Sequence, residues 1–192
     1  ANPETDTPIN LGKKVLVVGG GNTAMDSCRT AKRLGADVTL VYRRSEAEMP
    51  ARLEEVKHAK EEGIRFLTLH NPKEYLTDED GAVKAAILDI MQLGEPDASG
   101  RRRPVATGKT ITIDCDQVIV AVGVSPNPLV PKSVAGLELG RKNTIVVNED
   151  MQSSRSEIFA GGDIVRGGAT VILAMGDGRR AAKGMAEKLI KK

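Results

Sequence analysis

Along the first 70 residues, short unbroken apolar runs alternate with stretches whose apolar side chains recur every three or four positions. Residues 14–18 contain Val15-Leu16-Val17-Val18 and lead into Gly19-Gly20-Gly21. A continuous run of that length, closed by a turn signal, predicts a strand buried on both faces, as parallel sheets require. The spacing then predicts a helix over 22–34. Ala24, Cys28, Ala31 and Leu34 share one face, Asp26, Arg29, Lys32 and Arg33 fall mainly on others, and Gly35 stands where a left-handed cap would end it. Residues 37–41 predict a second strand and 65–69 a third. Between them, 52–62 predicts a densely charged helix with a thin stripe of Val56 and Ala59, stopped by Gly63. Strand–helix–strand–helix–strand is the unit of a doubly wound parallel sheet.

The pattern then changes. Residues 83–93 and 105–113 read as longer strands separated by the turn-rich stretch 94–104, which predicts a hairpin or meander rather than a crossover. Residues 117–122 form another apolar strand, followed by Gly123 and a Pro-rich link at 126–131. Short strands are expected at 145–147 and 158–160, and a long helix over 169–190. The expected fold class is α/β in three layers, a parallel sheet with an antiparallel β-meander. The expected organisation is a linker at 1–11, a first domain at 12–125 and a second portion at 126–192.

Composition narrows the function. The 192-residue chain has a net charge of +2, too small to argue for nucleic acid. It has no Trp and two each of Tyr and Phe, too few for a base-stacking platform. Cys28 and Cys115 form neither a C-x-x-C pair nor a metal-ligand cluster, and read as buried small hydrophobes in a reducing, cytoplasmic setting. No apolar run reaches the length of a spanning helix, so no membrane role is expected. Arg101-Arg102-Arg103 lies in the turn-rich stretch, either as a solvated loop tip or as a partner-docking patch.

The first candidate site is Gly19-Gly20-Gly21-Asn22-Thr23-Ala24, which matches G-x-G-x-x-A with Gly19, Gly21 and Ala24 at the three small positions. The first glycine permits a tight turn, the second lets backbone approach a pyrophosphate, and the third small residue lets helix pack on strand. The helix N-terminus adds free N–H groups and partial positive charge. The motif lies between a predicted strand and a predicted helix, the context it requires. Roughly 20 residues on, where NAD enzymes carry an acid for the ribose 2′-hydroxyl, the strand ends in Tyr42-Arg43-Arg44. Guanidinium groups match a 2′-phosphate, so NADPH is the expected cofactor. The alternative is that both arginines face solvent and Glu46 or Glu48 serves NAD from the loop.

Near the C-terminus, Ile158-Phe159-Ala160-Gly161-Gly162-Asp163 precedes Ala169-Thr170-Val171 at the start of the last helix. This resembles the pyridine-nucleotide-dependent flavoprotein reductases, in which a strand ends in Gly-Asp and a following helix points its N-terminus at the flavin. Ala121-Val122-Gly123 is similar to their linker between nucleotide modules. Within that group, Gly19 through Asp26, Val41-Tyr42-Arg43-Arg44-Ser45-Glu46 and Met49-Pro50-Ala51 look like the small (beta) subunit of glutamate synthase. The reductase subunit of ferredoxin:NADP oxidoreductases shares the pattern, and so does part of dihydropyrimidine dehydrogenase. The resemblance covers roughly residues 12–190. It implies a Rossmann-like FAD/NAD(P)-binding fold in which Arg43, Arg44 and Arg52 read the 2′-phosphate, with Asp163 at the FAD ribityl chain beside Gly162, Ala169 and Thr170. It also implies hydride transfer from NADPH to FAD, with electrons leaving through iron–sulfur centres to a large glutamate synthase-type subunit or another iron–sulfur partner, and a possible homo-oligomer. The family's earlier G-x-G-x-x-G and its iron–sulfur cysteines have no counterpart here. The chain is therefore expected to be an NADPH module plus the last piece of an FAD domain, with FAD held only in the intact protein.

Other chemistries fit less well. Neither Tyr42 nor Tyr75 has the Lys four positions on that a short-chain dehydrogenase needs, and a thioredoxin reductase would carry C-x-x-C here. His58 and His70 read as surface histidines and the paired acids as solvated helix faces. No catalytic acid or base and no metal ligand is named. The remaining alternative is a module that holds NADPH without chemistry of its own.

Overall fold

The computed structural model describes residues 10–98, 100–140 and 142–190. Residues 1–9 of the expected linker, and Ser99 of the turn-rich stretch, lie outside them. The chain divides into two compact units, the first up to Gly123 and the second from Val124.

The first unit opens with β1 (Lys14–Val18), α1 (Asn22–Arg33), β2 (Asp37–Tyr42), α2 (Leu53–Glu61) and β3 (Arg65–Thr68). It continues with β4 (His70–Thr77), β5 (Val83–Pro96), β6 (Arg102–Asp114) and β7 (Gln117–Val120). Four strands form a parallel sheet in the order β3-β2-β1-β7, and β4-β5-β6 form an antiparallel meander. The expected α/β class is borne out.

The unbroken apolar runs have a simple cause. Alternate side chains of a strand point to opposite faces, and both faces of this sheet are covered. Val15, Val17, Val38 and Leu40 pack with Ala24, Met25, Cys28, Val56 and Ala59 of the helices. Leu16 and Val41 pack on the other face with Ala86, Leu88 and Cys115 from the meander side. Burial of one such Val or Leu contributes about 1.5–3 kcal/mol, so the two clusters carry the stability of this unit. Helix α1 closes as its sequence predicts, with Gly35 at φ +100° and the Ala36 N–H returning to the Ala31 carbonyl.

Several expectations need correction. Residues 70–77 form a strand that the hydrophobic pattern missed. β4 is an edge strand with polar, half-exposed residues, and it tolerates Pro72 because an edge needs fewer ladder donors. The turn-rich stretch 94–104 is mostly strand: β5 runs to Pro96 and β6 starts at Arg102, with Leu93 opposite Pro104. The apolar strand at 117–122 ends at Val120.

In the second unit the expected strands at 145–147 and 158–160 are reduced to isolated bridges, Leu139 with Ile145, Val147 with Ser153 and Gln152 with Phe159. Two short helices appear instead, α3 (Leu129–Ser133) and α4 (Asp163–Arg166). The last helix, α5 (Val171–Ile190), buries Asp177 and Ala181 while Val171, Ile172, Leu189 and Ile190 are exposed.

Candidate functional site

The turn after β1 is built by close approaches. Gly19 has φ +144°, and a Cβ there would lie 2.3 Å from the Ala121 carbonyl oxygen, so only glycine fits where β1 and the end of β7 meet. Beneath it Ala24 is fully buried, its methyl in contact range of the Gly19 position. At Gly21 the opposite holds: a Cβ would meet no protein atom within 4 Å. The protein leaves that side of the turn open for a group from outside. The first turn of α1 begins with the Ala24 and Met25 N–H groups both bonding to the Gly21 carbonyl, which leaves those of Asn22 and Thr23 ahead of the helical ladder.

A second loop clamps the turn. The Ala51 N–H donates to the Gly20 carbonyl at 3.1 Å, and the Arg52 N–H donates to Asn22 Oδ1 at 2.9 Å. Arg52 thus holds the cradle through its backbone, and its side chain is not on the cleft wall.

The cleft beside this turn has a volume of about 600 Å³. Gly19, Gly20, Gly21, Thr23 and Gly123 line it, together with Arg43, Arg44, Tyr42 and the corner His70-Asn71-Pro72. Arg101 lines it as well, although the sequence offered it only as a loop tip or docking patch. No acidic residue does so, and among the described residues no carboxylate pairs with Arg43, Arg44 or Arg101. Elsewhere Arg29 binds Glu55 and Glu62, Arg33 binds Glu62, and Arg155 binds Glu157, whereas Arg65, Arg103 and Arg179 form no ion pair among the described residues. The Nε of Arg44 is buried without a hydrogen-bond partner, a costly state that an anion would relieve.

Glu46 and Glu48, the acids that would serve NAD, are occupied. Glu46 pairs with Lys60 at 2.5 Å. Glu48 accepts hydrogen bonds from the backbone and hydroxyl of Ser45 in a capping box around the turn at Glu46–Glu48. The Tyr42 hydroxyl donates to the Glu48 carbonyl at 2.8 Å. Burial pushes its phenol above the ordinary value and the charge of Glu48 acts in the same direction, opposed by the positive charges of Arg44, Arg43 and Arg101.

In the second unit a buried acid organises the glycines. Asp177 is fully buried and accepts from Arg166 Nε at 2.6 Å, from a terminal nitrogen of the same guanidinium at 2.7 Å, from Arg180 at 2.5 Å and from the Gly162 N–H at 3.0 Å. Arg166 above all holds its carboxyl well below the usual carboxylate range against the opposing effect of burial, with help from Gly162 and Arg180. Gly162 is buried at φ +75°, Asp163 is exposed at the start of α4, and the Ala169 N–H donates to Asp163 Oδ1 at 3.3 Å. Thr170 offers its carbonyl to Leu173 and Ala174 in the first turn of α5. Asp163 and Gly168 line a hollow of about 330 Å³ with Val124, Pro126 and Asn127. Asp177, like Arg101, is not singled out by the sequence. A single Asp on a helix carries no local signal that it will be buried.

The fold is that of the FAD/NAD(P)-binding oxidoreductases, and the chain belongs to the pyridine nucleotide-disulphide oxidoreductase family, whose model matches residues 3–178. It is 41% identical over 180 residues to the glutamate synthase [NADPH] small chain of Escherichia coli (strain K12), covering 91% of this chain and 38% of that one. It is 46% identical over 178 residues to the NADP(+)-dependent formate dehydrogenase subunit beta of Moorella thermoacetica, covering 91% of this chain and 25% of that one. Among solved structures, Lactococcus lactis thioredoxin reductase superposes with a TM-score of 0.78 at 21% identity, over 95% of this chain and 55% of that one. The chain thus spans less than half the length of these curated relatives. The expected resemblance to the glutamate synthase small subunit is borne out. The two cysteines lie in different hydrophobic clusters on opposite faces of the parallel sheet, so they are not partners. No described helix is long and apolar enough to cross a membrane.

Proposed function

We propose that this chain is the NADPH-binding part of a flavoprotein oxidoreductase of the glutamate synthase small-chain type. The observation that carries the reading is the cleft beside Gly21, lined by Arg43, Arg44 and Arg101 and by no acid. Gly19, Gly21 and Ala24 form the turn that admits a pyrophosphate, Gly20, Asn22 and Thr23 complete it, and Gly123 bounds the far side. The buried, unpartnered Nε of Arg44 fits a doubly charged phosphate better than a ribose hydroxyl. Residues 12–125 are read as the NAD(P)H-binding domain and 126–192 as part of an FAD-binding domain. There Gly162, Asp163, Ala169 and Thr170 would hold the flavin side of the site; Asp177 fixes the Gly162 backbone, and Asp163 Oδ1 accepts from the Ala169 N–H.

When bound, the nicotinamide and flavin supply the hydride chemistry. The protein's own residues bind, orient and exclude water, and no acid or base is assigned. The names of the relatives, a small chain and a subunit beta, support a larger assembly. The proposed onward route is through iron–sulfur centres to a large subunit or another electron-transfer partner. A ferredoxin-linked reductase subunit would use the same site. The test is calorimetric titration of the purified chain with NADPH and NADH at low salt. NADPH is expected to bind at least tenfold tighter, and equal affinities or tighter NADH would sink the reading. Excess FAD followed by desalting is expected to leave the isolated chain colourless. A stoichiometric yellow protein would overturn the view that FAD needs the intact protein.

A further inference from the structure

We infer that Arg101, at the turn between β5 and β6, is a third specificity-determining guanidinium that reads the same 2′-phosphate as Arg43 and Arg44 but from the antiparallel sheet. The inference rests on the NADPH reading above and concerns a residue outside the G-x-G-x-x-A turn and the Tyr42-Arg43-Arg44 strand end.

Three independent features point to it. The first is the length of the hairpin. β5 and β6 have 14 and 13 residues, yet no residue of β5 beyond Leu88 is buried and none of β6 is. The proximal part covers the parallel sheet through Ala86 and Leu88, whereas residues 92–96 and 102–105 bury no core. An extension that stabilises so little is explained by what its tip brings to the cleft.

The second is the construction of the tip. The Asp97 N–H donates to the Arg101 carbonyl at 2.9 Å, the Arg101 N–H donates to Asp97 Oδ1 at 3.0 Å, and the Gly100 N–H donates to the Asp97 carbonyl at 2.8 Å. These bonds fix the backbone of Arg101. Its neighbours are directed elsewhere: Arg102 Nε donates across the hairpin to the Gly94 carbonyl at 3.1 Å, and Arg103 is exposed on β6. Of the triplet, Arg101 alone lines the cleft.

The third is electrostatic. Arg43, Arg44 and Arg101 line one cleft whose wall carries no acidic residue, and the Asp97 carboxylate beside Arg101 accepts from its backbone N–H. Like charges so arranged are unfavourable until an anion neutralises them. Arg101 shares the cleft wall with Arg43 and Arg44, the residues that follow β2. The glycines and the start of α1 suit the pyrophosphate, so the phosphate at the β2 end is the one on the ribose.

The test uses the whole chain with NADPH, NADH, adenosine 2′,5′-bisphosphate and 5′-AMP as titrants. Arg101→Gln is expected to weaken NADPH and the bisphosphate about tenfold, the scale of one lost charge-assisted hydrogen bond. NADH and 5′-AMP should stay within twofold, and thermal melting should be unchanged. Arg103→Gln removes a charge from the same hairpin and should leave all four affinities within twofold. If Arg101→Gln binds NADPH as wild type does while Arg43→Gln/Arg44→Gln loses the preference, the role of Arg101 is overturned and the NADPH reading survives. Equal weakening of NADPH and NADH by Arg101→Gln would also overturn it, by assigning Arg101 to the part common to both nucleotides. A wild-type chain with no preference for NADPH would remove the underlying reading and this inference together.

Discussion

Two glycines two positions apart in the cradle do opposite things, and substitution separates them. Gly19 is required by the fold: its φ of +144° and the Ala121 carbonyl 2.3 Å from a would-be Cβ leave no room for a side chain. Gly19→Ala should destabilise the first unit by roughly 1–3 kcal/mol or more, the cost of a strained residue plus a backbone clash. Gly21 has φ −94° and ψ 178°, which any residue adopts, and a Cβ would touch nothing. Gly21→Ala should leave stability unchanged or slightly raised and weaken NADPH at least tenfold by filling the approach to the pyrophosphate. Thermal melting and calorimetry on both variants check this, and normal NADPH binding by Gly21→Ala would remove the pyrophosphate from that turn. The cysteines make another test at this scale. Burial pushes the Cys28 thiol up to about 12, and burial, then Asp116 and Asp114, raises Cys115. Both thiols are therefore protonated and shielded at pH 8. Ellman's reagent should label neither in the native chain and both in denaturant, and fast native labelling would contradict their burial.

At the scale of elements, α5 is tied to the Gly161-Gly162 backbone through Asp177. A Cβ at Gly161 would lie 2.8 Å from the Asp177 Cβ, so the helix can approach only because that position is bare. The Asp177 carboxyl is held below the ordinary carboxylate range in the folded state, mainly by Arg166, so its contribution is present above that range and lost as pH falls through and below it. Asp177→Asn leaves Arg166 and Arg180 without an anion. Amide exchange at Gly162 and along the first half of α5 should then be faster at pH 7 and lack the further loss that wild type undergoes on acidification. Unchanged exchange would reduce Asp177 to a bystander. None of this is written locally: Ala174, Gly178 and Ala181 advertise a close-packed helix, but Asp177 reads as any helix-surface acid. β1 and β2 were legible because they are largely buried apolar runs, and α1 because its buried residues, Ala24, Met25, Cys28 and Ala31, recur at helical spacing. β4 was not, because an edge strand with Pro72, Lys73 and Glu74 has neither alternation nor an apolar run. Gly19–Ala24 and Arg43-Arg44 were legible as a local motif with its own mechanism. Arg101 was not, since a hairpin of that length brings together residues whose proximity no spacing along the chain encodes.

On the scale of the whole chain, the two units are unequally built. Most of the buried apolar residues belong to the first unit, in clusters on both faces of its parallel sheet. Among the described residues of the second, Ile145, Met151 and Ala181 are the buried hydrophobics outside proline, and its longest helix exposes Val171, Ile172, Met175, Leu189 and Ile190. Its order rests instead on turns and polar contacts: the Asn148 carboxamide accepting from Asp150 and Gln152, the Ser153 hydroxyl bonding to the Arg155 backbone, and the Asp177 cluster. Turns and hydrogen bonds of this kind contribute about 0.5–1.5 kcal/mol each and exchange with water when the chain opens. Buried apolar area is the larger and more cooperative term. The second unit should therefore open at lower free energy than the first, as regions with few buried apolar contacts do. Limited proteolysis should cut first beyond Gly123 and leave a resistant core ending near that residue. Because the cleft is lined wholly by residues up to Gly123, that core should retain the NADPH affinity of the full chain within about threefold. NADPH should slow cleavage inside the core by mass action and leave the rate beyond Gly123 unchanged. Mass spectrometry of the timed digest, with and without the nucleotide, reads both quantities. Simultaneous loss of both units would show that they open as one. A resistant core that has lost NADPH binding would mean that residues beyond Gly123 complete the site.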